Sequence, residues 1–469
     1  MTALLLLGFG MAIVIGTILG LRLPAFLALV LAAYGVAFFT PQAALRRYAD
    51  IRVTTGEWTP SAAAKFGQRP AAARVADEFG KTCANIGLLI AMAAILGECL
   101  RRSGAAESIA VGILHCTGVA RAQLAFFITS FLLAIPVFFD TVFYLTVPLA
   151  QAMARRTGRD YLLYLMCIVA GGTITHSLVP PAPGPLFVAG ELGVPIGLMM
   201  IAGTLIGSGA ACFGYFFAMF CNRRMTVTVP RDDSETFTPA PTVHLPPLWL
   251  SVLPVLLPVV LISLEAGLKP ILAANAGFWS IAVSSLGYKD AALTIGVLVA
   301  LFLLARQKGR GSLSESVTKA LTSGATVLVI IGAGGALGGV LRQTGISEAF
   351  GSLLGQTQTL ALPALFLITA LVRTAQGSAT VAMITTAPIA KALLESSPSQ
   401  IHPVYFALAI GCGSKPFPWM NDAGFWVITR LSGLRETETL RTVSPMISLQ
   451  GVVGLGLTLL AAWLVPLSL

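Results

Sequence analysis

Long apolar runs dominate the chain. They cover 3–21, 23–39, 82–100, 194–220, 247–264, 290–305, 322–341 and 445–465. Each approaches or exceeds the ~20 residues a helix needs to cross a bilayer core. The first charged residue is Arg22, so the run 3–21 has no basic leader and is expected to be a retained helix. Two shorter arms, 122–135 and 140–154, are bounded by Arg121 and by Arg155 and Arg156. At ~1.5 Å per residue each reaches only ~21 Å into a core ~30 Å thick. They therefore predict a re-entrant hairpin with residues 135–140 at its tip. A second hairpin is expected over 361–392, with its tip at 374–380.

Two apolar stretches are interrupted instead of ended. H-S-L-V-P-P-A-P-G-P fills 176–185, and G-C-G-S-K-P-F-P-W-M-N-D fills 411–422. Irregular backbone at membrane depth needs protein or water to satisfy its freed groups. Breaks of this kind mark midplane cavities in secondary transporters.

The halves resemble each other at an offset of 241 positions. Gly97, Leu100, Arg101, Gly104 and Glu107 match Gly338, Leu341, Arg342, Gly345 and Glu348. The same offset lays hairpin on hairpin and break on break. The expected fold is an all-α polytopic membrane protein of two inverted repeats, 1–225 and 247–469, joined by a cytoplasmic linker at 226–246. It would hold about ten spanning helices, two re-entrant hairpins and two broken helices, or 12–14 spans if hairpin arms are counted. Residues 41–81 read as a polar insertion and 265–289 as an amphipathic one.

Composition agrees with a membrane location. Hydrophobic residues make up 56%, charged residues 11%, and the mean hydropathy is +0.84. A soluble domain carries about 25% charged residues. The net charge of +10 therefore speaks of topology and not of nucleic acid. On the proposed path, 17 of the 30 basic residues fall on one face, which makes that face cytoplasmic and puts both termini in the periplasm. Two full crossings in place of each hairpin would give the same distribution. The seven cysteines lack metal-ligand spacing and read as small core residues. The run G-A-G-G-A-L-G-G at 332–339 lies inside an apolar span and suggests close helix packing.

Few ionisable groups remain at depth: Asp140, His176, Arg373, Lys415, Asp422 and Glu98. Such groups are costly in lipid and are functional candidates by default. Glu98, three residues before Arg101, reads as a structural partner. Arg373 suits a two-pronged clamp on an anionic substrate, or a buried ion pair with Asp422 or Asp140. Beside it Gln376, Gly377, Ser378 and Thr380 offer ligand contacts or an ordinary turn. At the breaks Thr173, Thr175, His176, Ser177, Ser414 and Asn421 are candidate contacts for the polar body of a substrate. Asp140, Asp422 and His176 are the candidate proton carriers, since histidine titrates nearest neutrality. Structural roles stay open for all three, and a cation-ligand role for Asp422. Pro180, Pro181, Pro183 and Pro185 are expected to fix the first break.

At these residues the chain resembles the gluconate permease family, the gluconate:proton symporters. The matching blocks are V-F-F-D-T-V-F at 137–143, H-S-L-V-P-P-A-P-G-P at 176–185, A-L-G-G-V-L at 336–341, R-T-A-Q-G-S-A-T-V-A at 373–382 and N-D-A-G-F-W at 421–426. The resemblance implies a proton-coupled importer of sugar acids or related hydroxy-carboxylates in a bacterial inner membrane. Similar members carry D-serine, and the wider superfamily is similar in its inverted repeats, hairpins and elevator-like movement. The chain departs from the family pattern at Pro418 and Trp419, where a small polar residue and a histidine are usual. It also has Lys415 where the family is uncharged, and a longer insertion at 41–81.

The expected partners are a small organic anion, protons and the lipid bilayer, without nucleic acid, cofactor or metal; a homodimer is left open. The rival readings are a cation-coupled carrier of another small solute, an ion antiporter, an intramembrane hydrolase and a transporter-like sensor. Arg373 argues against a cation path. The hydrolase would need a nucleophile–base pair or a metal cluster that the sequence does not offer.

Overall fold

In lipid a backbone must satisfy its own hydrogen bonds, so the apolar runs become helices. The computed structural model describes residues 3–54, 56, 58–225, 227, 245–272, 278–346, 360–396, 401–420 and 422–467. The first half contains α1 (Ala3–Leu19), α2 (Ala25–Phe39), α3 (Gln42–Thr54), α4 (Pro60–Gly67), α5 (Ala71–Arg102), α6 (Ala105–Thr117), α7 (Ala122–Leu133), α8 (Phe139–Thr157), α9 (Tyr161–Leu178), α10 (Pro183–Glu191) and α11 (Ile196–Arg224). The second contains α12 (Leu248–Leu272), α13 (Phe278–Gly287), α14 (Lys289–Lys308), α15 (Gly311–Arg342), α16 (Ala361–Gln376), α17 (Ala379–Ser396), α18 (Pro403–Gly413), α19 (Ala423–Ser432) and α20 (Glu436–Leu464). Among the described residues six helices are long and apolar enough to span a membrane, or up to eight if each sharply bent pair counts as one.

The element order recurs. α5 and α15 are each 32 residues long and start 240 positions apart, at Ala71 and Gly311. α11 and α20 are each 29 residues long and again start 240 apart. The helix-internal prolines Pro148 and Pro388 keep the same spacing.

α5 and α15 lie antiparallel along their whole length. At one end Arg102 Nη2 donates to Glu315 Oε1 at 2.5 Å; at the other Arg342 Nη2 lies 3.6 Å from Glu78 Oε2. The glycine run fills the interval. A Cβ on Gly335 would lie 2.0 Å from Thr82 Oγ1, and one on Gly339 would lie 2.4 Å from Glu78. The opposite side of the same run meets α17, where Gly334 faces Ile384 and Gly338 faces the ring of Pro388. The run 332–339 thus serves close packing, because missing side chains let helices approach.

α9 is buried along its length, and only His176 in its last turn is partly exposed. Polar side chains staple its backbone to neighbours. Gln450 Nε2 of α20 donates to the carbonyls of Ala170 at 2.9 Å and Ala210 at 3.3 Å, and Ser130 Oγ of α7 donates to that of Ile168 at 2.5 Å. The outer helices turn large apolar residues outward, among them Phe38, Leu205, Phe216, Phe302 and Trp463. That surface suits lipid.

Several boundaries differ from expectation. The polar insertion 41–81 is not one unit. Only α3 and α4 stand apart, while 71–81 forms the first turns of α5, where Glu78 and buried Arg74 find partners on α15 and beyond. Arg74 donates to Gln343 Oε1 at 2.8 Å and to the Ala37 carbonyl at 2.7 Å, so a polar stretch is buried by pairing. The expected insertion 265–289 is mostly helical continuation, as α12 runs to Leu272, and residues 273–277 lie outside the described residues. Cys99, Cys167, Cys221 and Cys412 are buried, but Cys116 and Cys212 are exposed, since the apolar runs that hold them have an outward face. Glu98 is a structural partner as read: Arg101 Nε donates to it at 2.8 Å and Arg102 Nε at 3.0 Å.

Candidate functional site

Both hairpin tips and both breaks open on one cavity of about 890 Å³, counting the part open to solvent. The irregular segments are shorter than the sequence suggests. α9 continues to Leu178 and α10 resumes at Pro183, so His176 and Ser177 stand in a last helical turn. Only residues 179–182 are non-helical there. At the second hairpin α16 runs through Arg373 to Gln376, and Gly377 and Ser378 alone make the tip. Gly377 has φ +76°, a conformation that favours glycine, and its N–H donates to the Arg373 carbonyl at 2.8 Å.

The helix ends give the cavity its electrostatics. Phe139, Ala379 and Ala423, the first residues of α8, α17 and α19, all line it. Helix N-termini carry partial positive charge and suit anions. The C-terminal ends of α9, α16 and α18 face the same space, and Arg373 and Lys415 sit at two of them. Cations at helix C-termini are favoured by the same dipole.

Arg373 is 5% exposed. Its Nη2 forms an ion pair with Asp422 Oδ2, and its Nε donates to the Ser414 carbonyl at 3.1 Å. The buried Nη1 has no hydrogen-bond partner among the described residues. Asp422 Oδ1 accepts from the Gly424 N–H at 2.8 Å and so caps α19. Asp140 lines the same cavity and is exposed. Lys415 Nζ donates to the Thr173 carbonyl at 2.5 Å.

Three more buried polar atoms of wall residues lack partners among the described residues: His176 Nδ1, Ser177 Oγ and Ser444 Oγ. The His176 ring packs on Phe138, with centroids 5.9 Å apart. Buried polar groups are normally paired, so four orphans in one cavity point to a polar ligand.

Asp140, Thr173, His176, Ser177, Arg373, Ser378, Thr380, Ser414 and Asp422 thus share one wall system. Thr175 does not. It is fully buried and donates to the Gly171 carbonyl at 2.9 Å, because a residue two positions from Thr173 and Ser177 points to the other side of α9. The side chain of Gln376, and Asn421, lie outside the described residues. Sequence reasoning missed Ser444, whose only signal is a serine directly before Pro445 at the edge of an apolar run. It also missed the apolar wall of Phe425, Val443 and Ile447.

The sequence profile of the GntP family permease matches residues 67–464. The chain belongs to this family. A gluconate permease of Pseudomonas aeruginosa is 31% identical to this permease, covering 82% of this chain and 86% of the relative. A gluconate permease of Bacillus subtilis is 28% identical over 98% of this chain and 100% of its own. An uncharacterized permease of Haemophilus influenzae is 31% identical over 77% and 76%. Among solved structures, the Alcanivorax borkumensis YdaH transporter superposes with a TM-score of 0.57 at 14% identity, covering 84% of this chain and 88% of that one. Neisseria gonorrhoeae MtrF gives 0.58 at 15%, covering 83% of each. These two likenesses concern the fold alone. The permease is therefore a multi-pass bacterial membrane transporter and not an enzyme.

Proposed function

We propose that this permease imports a small hydroxylated organic anion, a sugar acid such as gluconate, together with protons. The observation that carries the reading is Arg373: a buried guanidinium on the wall of a polar cavity, half-paired with Asp422, whose Nη1 has no partner among the described residues. The names of the gluconate permease relatives support the substrate class.

Charge argues for the coupling. Arg373 and Lys415 balance Asp140 and Asp422 in formal charge, so an entering monoanion leaves the cavity one negative charge in excess. One proton, taken by Asp422, Asp140 or His176, cancels it. Protonating Asp422 also frees Arg373 to face the substrate carboxylate. One proton per monoanion makes transport electrically neutral; a second makes it voltage-driven, at ~2.3 kcal/mol per charge per 100 mV. His176, Ser177, Ser378, Thr380 and Ser414 would face the substrate's hydroxyls.

The reading extends to topology. We take 1–225 and 247–469 as inverted repeats about a cytoplasmic linker at 226–246, with periplasmic termini. The antiparallel, equal-length α5 and α15 support the inversion, and the distribution of basic residues supports the orientation.

The test is uptake of labelled gluconate into proteoliposomes with an alkaline interior. Accumulation that a protonophore abolishes is the expected result. Uptake no greater than into empty liposomes, at every imposed gradient, overturns the reading.

A further inference from the structure

Lys415 is 4% exposed and lines the cavity. Its seat is prepared by Gly451 of α20, where a Cβ would lie 2.8 Å from Lys415 Cβ and 2.7 Å from the Cys412 carbonyl oxygen. The ammonium carries three donors, and its one hydrogen bond within the described residues goes to the Thr173 carbonyl. No carboxylate lies within 4.0 Å of it among the described residues. A buried charge without a direct ion-pair partner costs several kcal/mol. A neutral donor would serve equally well to bridge to a backbone carbonyl, so stapling does not explain a charge here.

Arg373 is differently placed. Asp422 holds its Nη2 and the Ser414 carbonyl its Nε, leaving Nη1. Arg373 holds the carbonyl of Ser414, the residue next to Lys415, and both cations line the same cavity. A carboxylate has two oxygens for these two donors.

We propose that Lys415 is the principal charge receptor for the substrate carboxylate, with Arg373 Nη1 holding its second oxygen. The inference rests on the organic-anion reading above. It also gives Arg373 a second duty, keeping Asp422 in place, beside that of anchor.

Isothermal titration of the full-length protein in detergent, with D-gluconate and its uncharged counterpart D-sorbitol, tests this. The wild type should bind gluconate and not sorbitol. Lys415→Met should raise the gluconate Kd at least tenfold and erase the preference. Lys415→Gln keeps a donor for the Thr173 carbonyl without the charge, and should likewise raise the Kd at least tenfold; it decides the matter if Lys415→Met does not fold. Gluconate binding by the wild type and equal binding by either variant overturns this proposal alone. A wild type that binds neither gluconate nor other small carboxylates overturns the organic-anion reading and this proposal with it.

Discussion

Arg373 and Asp422 tie the last turn of one hairpin arm to the first turn of a broken helix's second half. The pair is buried, so its two members are not equivalent under mutation. Removing the arginine strands a carboxylate, whereas Asp422→Asn keeps the cap on Gly424 and leaves a free guanidinium. Arg373→Ala is expected to lower uptake at least 100-fold without loss of expression. Asp422→Asn should remove the pH dependence instead. If the carboxyl must be protonated for substrate to enter, wild-type uptake falls as pH rises, and an asparagine cannot follow. Initial rates between pH 5.5 and 8 check this; an unchanged profile moves the proton to Asp140 or His176.

The ingredients of this site were legible in the sequence because lipid makes them conspicuous. Charges and prolines inside apolar runs stand out, and they led to Asp140, His176, Arg373 and Asp422. What stayed hidden depends on which side of a helix a residue faces. Thr173 and Ser177 line the cavity and Thr175 does not, and all three share one sequence motif. Ser444 comes from the last helix, and packing of α20 against α9 and against the end of α18 brings it in. The start of α5 was misread for a related reason. Arg74 and Glu78 look like a solvated face until α15 supplies partners.

Those partners make a sharp contrast between the two ends of α5 and α15. Arg342 pairs with Glu191 and lies near Glu78, and all three side chains are nearly buried. Arg342→Gln leaves Glu78 to Lys81 and Glu191 to Lys391, 4.0 Å away, and removes the most buried cation of the network, so it should cost about 1–3 kcal/mol. Arg102 at the other end meets Glu315, whose side chain is 72% exposed. Surface pairs contribute about 0–1 kcal/mol, so Glu315→Gln should be nearly silent. Melting curves in detergent for both variants measure the difference. Equal melting temperatures would mean that the buried network adds no stability.

Close approach at the first break gives a second stability test. A Cβ on Gly203 of α11 would lie 2.1 Å from the carbonyl oxygen of Leu178, the residue where α9 ends. Backbone cannot step aside as a side-chain tip does. Gly203→Ala should destabilise by about 1–3 kcal/mol and lower uptake, because it displaces the break. Gly456 of α20 has nothing within 4 Å of its Cβ position. There the same change should stabilise by up to about 1 kcal/mol through helix propensity. Melting temperature should therefore fall for the first variant and rise for the second, and uptake should fall for the first alone; a tolerated Gly203→Ala would show that α9 can shift.

Ser444 tests whether the cavity reads hydroxyls as well as charge. Its Oγ is buried and has no partner among the described residues, so the empty protein gives up no such bond with it. Ser444→Ala should leave the melting temperature unchanged or slightly raised. A hydrogen bond to a substrate hydroxyl contributes about 0.5–1.5 kcal/mol, which is roughly 2–10-fold in Kd. The loss should appear for gluconate and not for glycolate, whose single hydroxyl sits beside the carboxylate and which has no polyol chain to meet the cavity wall. Titrating both acids against the variant separates the two contributions. An equal loss for both would place Ser444 among the carboxylate's neighbours, and no loss for either would leave its hydroxyl facing water in the cavity.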